Sequence, residues 1–175
     1  MNESTHLIPL WQKAAHMAAH FHRHQKRKQG DIPYVTHPFR VALTVRDIFE
    51  ENDSVTLAAA LTHDLIEDTT ADYDDIRMEL GTEVADLVAA LTKDMRMRSE
   101  LREQSYDDQL SEASWKAKLI KLADVYDNYC DCPNDAMRSN AREKGKRILA
   151  IVDGDPKLKT AGAKLRALIG SSSVS

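Results

Sequence analysis

Leu57-Ala58-Ala59-Ala60-Leu61-Thr62-His63-Asp64-Leu65-Ile66-Glu67-Asp68-Thr69 sets an apolar run directly against one imidazole and three carboxylates. Asn52-Asp53-Ser54 supplies a stop and an N-cap, so the spacing predicts a helix over residues 55–66. A helix continued through the segment puts His63 and Glu67 four residues apart on one face. Asp64 and Asp68 form a second such pair, about 100° around the axis. Four ionisable groups at the end of an apolar helix are costly to desolvate unless a metal ion or a bound substrate offsets the cost. The stretch therefore reads both as helical core and as a site.

Outward from it, strand signals are nearly absent. Period-2 alternation is missing, aromatic residues make up 6% of the chain, and Ala, Leu, Glu, Lys and Arg dominate. A first amphipathic helix is expected from about Leu7 to Arg27, with Leu7, Leu10, Trp11, Ala14, Ala18 and Phe21 on its apolar face. Gly30 to Tyr34 break it, and Thr36-His37-Pro38 opens a helix carrying Val41, Leu43, Val45, Ile48 and Phe49. Asp72 can cap a short helix ended by Gly81, and Thr82, Val84, Leu87, Val88 and Leu91 begin the next. A longer helix is expected over Ser111–Asn128, closed by Cys132-Pro133, with two more over 136–152 and 157–169. The expectation is a single all-α domain of seven to nine helices over residues 1–169, outside simple four-helix topology, with 170–175 a disordered tail.

Composition bounds the function classes. A chain of 175 residues is long enough for one domain with a good core and marginal for two. The net charge of −4 argues against a general nucleic-acid binder. No apolar run approaches the ~18 residues that span a bilayer. Residues 1–6 lack a basic stretch leading into an apolar one, so a cytoplasmic location is expected. His20, His22, Arg23, His24, Lys26, Arg27 and Lys28 form a basic block, either a solvated helix end or a cradle for a phosphorylated ligand. Cys130 and Cys132 are too close for an unstrained disulfide and too few for a zinc site, so both are expected as thiols.

Three further ligand-type residues occupy unusual places. His37 lies at a helix start. Asp124 falls inside the apolar pattern Leu119-Ile120-Lys121-Leu122-Ala123-Asp124-Val125, and Asn128 lies one turn beyond it on the same face. Singly, each is an ordinary structural residue; together with His63-Asp64 they suggest a ligand set.

The order His37, His63-Asp64, Asp124 resembles that of the HD phosphohydrolase superfamily, and the surrounding residues narrow the likeness. Gln25-Lys26-Arg27-Lys28-Gln29-Gly30 followed by Pro33-Tyr34-Val35-Thr36-His37-Pro38 and Val41-Ala42 resembles Q-x-R-K-x-G-x-P-Y-x-x-H-P-x-x-V-A. His63 to Thr69 resembles H-D-x-x-E-D-T, Gly81-Thr82-Glu83-Val84 and Leu91-Thr92-Lys93 resemble F-G-x-E-V and V-T-K, and Lys121 to Asn128 resembles K-L-A-D-x-x-x-N. Over Trp11 to Asn128 the chain is similar to the hydrolase domain of RelA/SpoT enzymes, particularly the small alarmone hydrolases and metazoan SpoT homologues.

The resemblance implies an HD-domain bundle in which His37, His63, Asp64 and Asp124 hold one divalent ion, Mn²⁺, while Glu67 and Asp68 orient and deprotonate the attacking water. It implies removal of the 3′-pyrophosphate from ppGpp or pppGpp. Arg27 would stack on the guanine base, Lys28 would meet phosphate charge, Asn128 would bond the ribose or diphosphate end, and Tyr106 would lie on the substrate side. The implied partner is a small-molecule nucleotide, with no nucleic acid and no membrane; homo-oligomer formation stays open. The alternatives are an HD-domain phosphatase for another phosphorylated nucleotide such as NADPH, or a non-catalytic nucleotide-sensing domain. Where the family usually continues R-L-H-N-M-R or K-L-x-N-L-R after K-L-A-D, this chain reads Val125-Tyr126-Asp127-Asn128-Tyr129-Cys130, and Ile32 is an extra residue before Pro33. Asp127 and Asp131 thus add negative charge where a polyanion would prefer positive.

Overall fold

The computed structural model describes residues 8–28 and 30–171; Leu7, Gln29 and most of the expected tail lie outside the described residues. The regular elements are α1 (Leu10–Phe21), α2 (Thr36–Leu43) with a π-helical continuation over Thr44–Ile48, α3 (Ser54–Thr62), α4 (Leu65–Asp68), α5 (Tyr73–Leu80), α6 (Thr82–Leu91), α7 (Ser99–Glu112), α8 (Trp115–Cys130), α9 (Asp135–Ile151) and α10 (Lys159–Gly170). Apart from the single turn α4, nine α-helices of eight residues or more stand among the described residues, as the all-α expectation requires. Extended pairing is limited there to an isolated bridge between Lys26 and Pro33.

Two helices form the centre. In α3, Thr56 and Ala58 to Thr62 are all buried, so the helix is enclosed on every side, as its near-continuous apolar sequence demands. It packs against α1, α2, α6 and α8. Small side chains on both sides, Ala14, Ala15 and Ala18 of α1 and Ala58 to Ala60 of α3, let these backbones approach closely. In α8, nine of sixteen residues are buried, including Asp124 and Asp127. It packs against α9, α2, α10 and α6. Leu65, Ile76, Ile120, Leu122 and Leu165, each under 2% exposed, fill the space between.

Caps fix the helix starts as the sequence suggests. Asp53 accepts from the Thr56 amide at 2.9 Å, and Asp72 closes a reciprocal capping box with Asp75 before Gly81, at φ 93°, ends α5. Three expectations shift. First, α3 does not run on to Ile66. The His63 Nδ1 bonds Ala60 O at 2.9 Å, taking the acceptor that the Asp64 amide would use in a continuing helix, and a new turn starts at Leu65. Second, α1 stops at Phe21 rather than near Arg27. Third, the expected Ser111–Asn128 helix starts at Trp115, where Ser114 accepts from the Ala117 amide. An unanticipated helix, α7, precedes it. Only Tyr106 and Leu110 of its fourteen residues are buried, too thin a stripe to register as periodicity. Tyr106 OH donating to Leu91 O and the Arg147 guanidinium on Asp107 hold it in place.

Candidate active site

Each candidate ligand owes its position to a local device. Ending α3 at Thr62 brings His63 and Asp64 to the mouth of the helix pair, with α4 carrying Glu67 and Asp68 one turn on. His37 sits in the first turn of α2, and Asp124 sits midway along α8. One ligand atom each from His37, His63 and Asp124 falls within 4.8 Å of the others. His37 Nε2 lies 3.2 Å and His63 Nε2 3.8 Å from Asp124 Oδ1. All three residues are buried, at 2%, 7% and 7% exposure.

The remaining nitrogens are already committed. His37 Nδ1 bonds Asp127 Oδ2 at 2.7 Å, and His63 Nδ1 bonds the Ala60 carbonyl at 2.9 Å. Both rings therefore turn Nε2 toward the same point. A ring nitrogen tied back to a carboxylate or carbonyl so that the other can ligate is the usual arrangement around bound metals. Asp64 stands beside this group: its Oδ1 bonds His22 Nε2 at 3.1 Å, while its buried Oδ2 has no hydrogen-bond partner among the described residues and lies 4.0 Å from His63 Nε2. A buried carboxylate oxygen without a donor costs free energy that a cation would recover. Two imidazole nitrogens and two carboxylate oxygens suit a first-row divalent ion. The residues present fit a divalent metal.

The charge states follow from these contacts. Burial alone would lower the His37 pKa, but hydrogen bonds to Asp124 and Asp127 outweigh it and push it up to about 9. Burial opposes the charged forms of Asp64 and Asp124 as well. The surrounding histidines, and for Asp124 above all Lys121, hold both carboxyls below the ordinary range. Lys121 donates to Asp124 Oδ2 at 2.7 Å, and Asn128 Nδ2 to Asp124 Oδ1 at 2.6 Å. His22 is 1% exposed and faces two acceptors, Asp64 Oδ1 and Gln25 Oε1; Gln25 Nε2, donating to Asp68 O at 2.6 Å, fixes that amide's orientation. Both ring nitrogens of His22 thus face acceptors, an arrangement that favours the imidazolium form. Its pKa is raised, Asp64 overcoming the cost of burial.

Beside the cluster opens a cleft of about 700 Å³ whose walls include Arg27, Lys28, Glu67, Asp68, Asn128 and Lys144. The basic block thus divides. Arg23 bonds the His20 carbonyl at an exposed helix end, His22 supports Asp64, and Lys26, Arg27 and Lys28 line the cleft. The extra residue Ile32 is absorbed by the turn, because the Arg27 amide bonds Ile32 O and the Tyr34 amide bonds Gln25 O, both at 2.9 Å. Arg27 remains over the Tyr34 ring at 5.7 Å, with its guanidinium held by Asp131 at 2.7 and 3.0 Å and by Asn128 Oδ1 at 3.3 Å. Glu67 accepts from the Lys93 amide at 3.1 Å, and Asp68 from the Tyr34 hydroxyl at 3.0 Å. Burial, with Asp64 and Asp68 close by, pushes the Tyr34 hydroxyl up, so it remains a donor. Tyr106 stands apart from these residues. It is 4% exposed behind the cleft wall, its hydroxyl bonded to Leu91 O and its ring 5.0 and 5.3 Å from the Lys93 and Lys121 ammonium groups.

Three participants escaped the sequence reading: His22, Asp127 and Arg40. Asp127 is not surplus negative charge. It orients His37, and Arg40 neutralises it through contacts of 2.6 and 3.0 Å while also reaching Asp131 at 2.9 Å. Arg40 of α2 and Arg27 thus balance Asp127 and Asp131 from other elements. The one signal available was spacing: Asp127 lies three residues past Asp124, hence on its face of α8.

Comparison with known proteins bears on the family and the fold. The HD domain family model matches residues 14–144. The chain is 38% identical over 120 residues to the mouse guanosine-3′,5′-bis(diphosphate) 3′-pyrophosphohydrolase MESH1, covering 68% of this chain and 67% of that protein. A guanosine-3′,5′-bis(diphosphate) 3′-pyrophosphohydrolase of Aquifex aeolicus is 38% identical over 120 residues, which is only 17% of its greater length. A solved structure described as a metazoan ortholog of SpoT that hydrolyzes ppGpp superposes with TM-score 0.81 at 28% identity, over 95% of this chain and 99% of that one. The chain belongs to the HD-domain family, in its RelA/SpoT-type group that includes the metazoan SpoT homologues.

Proposed function

We propose that this protein is a metal-dependent hydrolase that removes the 3′-pyrophosphate from guanosine alarmones, converting ppGpp and pppGpp to GDP and GTP plus pyrophosphate. The observation that carries the reading is the pair of Nε2 atoms aimed at Asp124, each imidazole locked from behind, beside the Glu67-Asp68 turn. His37, His63, Asp64 and Asp124 would hold the ion, with Mn²⁺ the metal favoured by resemblance. Bound there, a divalent cation supplies Lewis acidity toward the phosphoryl oxygens and the attacking water.

The rest of the chemistry belongs to side chains of this chain. Glu67 and Asp68 each have one oxygen held by the scaffold, by the Lys93 amide and the Tyr34 hydroxyl, and use the other to orient and deprotonate water. Lys121 and Asn128, both donating to Asp124, would meet the scissile phosphate. Arg27, tied to Asp131, offers the flat face of its guanidinium to a base rather than a free charge to a phosphate. Lys28 faces phosphate charge at the cleft rim.

The test is a nucleotide panel, ppGpp, pppGpp, pGpp, ppApp and NADPH, assayed with Mn²⁺ and again with chelator. Pyrophosphate release from the guanosine substrates, abolished by chelation, is the expected result. No turnover of any nucleotide would exclude the hydrolase reading, and turnover of NADPH alone would reassign the substrate.

A further inference from the structure

Most positive charge on the cleft walls is already matched. Lys26 pairs with Asp31, Arg27 with Asp131 and Lys121 with Asp124. Lys144 is different. It stands on α9 and lines the same cleft as Arg27 and Lys28, and it makes no hydrogen bond or ion pair within 4 Å among the described residues. Asn140, one turn earlier on the same helix, lines the cleft with it. Lys144 is moreover set near two other ammonium groups, Lys121 and Lys93. Partial desolvation first, then those two charges, lower its pKa from the ordinary lysine value. Lys121 and Lys93 are ion-paired with Asp124 and Glu103, so of the three ammonium groups Lys144 is the one left to meet an anion in the cleft.

We propose that Lys144 is the anion anchor of this cleft, holding the terminal phosphate of one phosphate arm of the substrate against α9. The proposal rests on the nucleotide-hydrolase reading for its substrate, but the binding site is defined by this chain's own lysine. Arg27, Lys28 and Lys144, all lining one cleft, then select a ligand with a base at one end and a multiply charged phosphate group at the other. The two arms of a guanosine bis(diphosphate) present the same terminal chemistry, and the substrate series below separates them.

The first measurement is binding of inorganic pyrophosphate to the full chain in the presence of chelator, by calorimetry. Wild type should bind, Lys144→Gln should weaken Kd about tenfold to a hundredfold, the range for one charge-assisted hydrogen bond, and Lys144→Arg should recover most of the affinity. Lys146→Gln, an exposed lysine on the same helix paired with Glu143, controls for loss of charge alone and should bind as wild type does. The second measurement is KM and kcat for ppGpp and pGpp, with the guanosine 5′-diphosphate 3′-monophosphate, which has no 3′-pyrophosphate to release, titrated as a competitive inhibitor. A penalty in Lys144→Gln that is present in the KM for ppGpp but absent from the Ki of the 3′-monophosphate puts Lys144 on the 3′ arm, and one that disappears with pGpp puts it on the 5′ arm. Failure of wild type to bind pyrophosphate, or equal binding by wild type and Lys144→Gln, overturns the proposal. Binding lost in Lys144→Gln while wild type turns over no nucleotide would leave Lys144 as an anion site and sink the hydrolase reading instead.

Discussion

Replacing Asp127 by Asn removes one negative charge and leaves the shape of the side chain nearly unchanged. The carboxylate accepts from His37 Nδ1 at 2.7 Å and from Arg40 at 2.6 and 3.0 Å, and it is 4% exposed. Two effects follow and can be measured separately. The first concerns His37: a carboxylate behind a ligating imidazole raises its basicity and fixes its ring, and losing such a partner costs about tenfold to a hundredfold in metal affinity. In free energy that is about 1.4 to 2.7 kcal/mol. The second is stability. Stripping one partner from a buried pair costs about 3–5 kcal/mol, but the Arg40 side chain is 35% exposed and keeps Asp131 at 2.9 Å. The loss should therefore fall to about 1–3 kcal/mol. Mn²⁺ affinity is to be measured by competition with a chromogenic chelator, and stability by thermal unfolding of the metal-free protein. Arg40→Gln separates the two effects, since it should lose similar stability while preserving the Asp127–His37 contact and most of the metal affinity. Asp127→Asn with wild-type metal affinity would refute the view that Asp127 positions His37.

Removal of metal should lower Tm, because an ion bound only by the folded state adds about 2.7 kcal/mol when present at 100 times its Kd; His63→Ala should show no shift between chelator and Mn²⁺, and a shift equal to wild type would exclude His63 as a ligand. Glu67→Gln should keep wild-type metal stoichiometry while kcat falls by about 10²–10⁴, the range for a general base, and an unchanged kcat would remove Glu67 from the water-activating role. Asp53→Ala should cost about 1 kcal/mol of stability as an N-cap is lost, and Asp53→Asn less. The Thr56 bonds and Lys116 outweigh burial and hold the Asp53 pKa below its unfolded value. Its charge-dependent stabilisation is therefore present above the unfolded pKa and fades as pH falls through the folded one. The Tm gap between wild type and Asp53→Asn should accordingly close on acidification; a gap that widened would reverse the sign.

How much of this was legible in the sequence depends on whether a residue's role is set by its own element or by another. Periodicity and caps revealed α2, α5, α6 and α9, because each buries an apolar stripe that its own residues define. Helix α7 left no such trace: it is held by Arg147 on α9 and by one buried tyrosine hydroxyl, partners far away in sequence. The same distinction divides the site. His37, His63, Asp64 and Asp124 stand out because charged residues in apolar helical surroundings need a local explanation. Their support does not, because it comes from elsewhere in the chain: Asp127 meets His37 across 90 positions, His22 meets Asp64 across 42, and Arg40 meets Asp127 across 87. Counted along α8 alone, Asp127 and Asp131 look like charge misplaced against a polyanion. Counted in space, Arg40 and Arg27 cancel them, and the acidic pair becomes the frame that aims one imidazole at the metal position and one guanidinium at the cleft. The altered run after Asp124 therefore carries carboxylates that Arg40 of α2 and Arg27 of the turn after α1 neutralise. Among the described residues Lys28 and Lys144 line the cleft without an ion pair, so under the proposed function selectivity among nucleotides should follow their spacing.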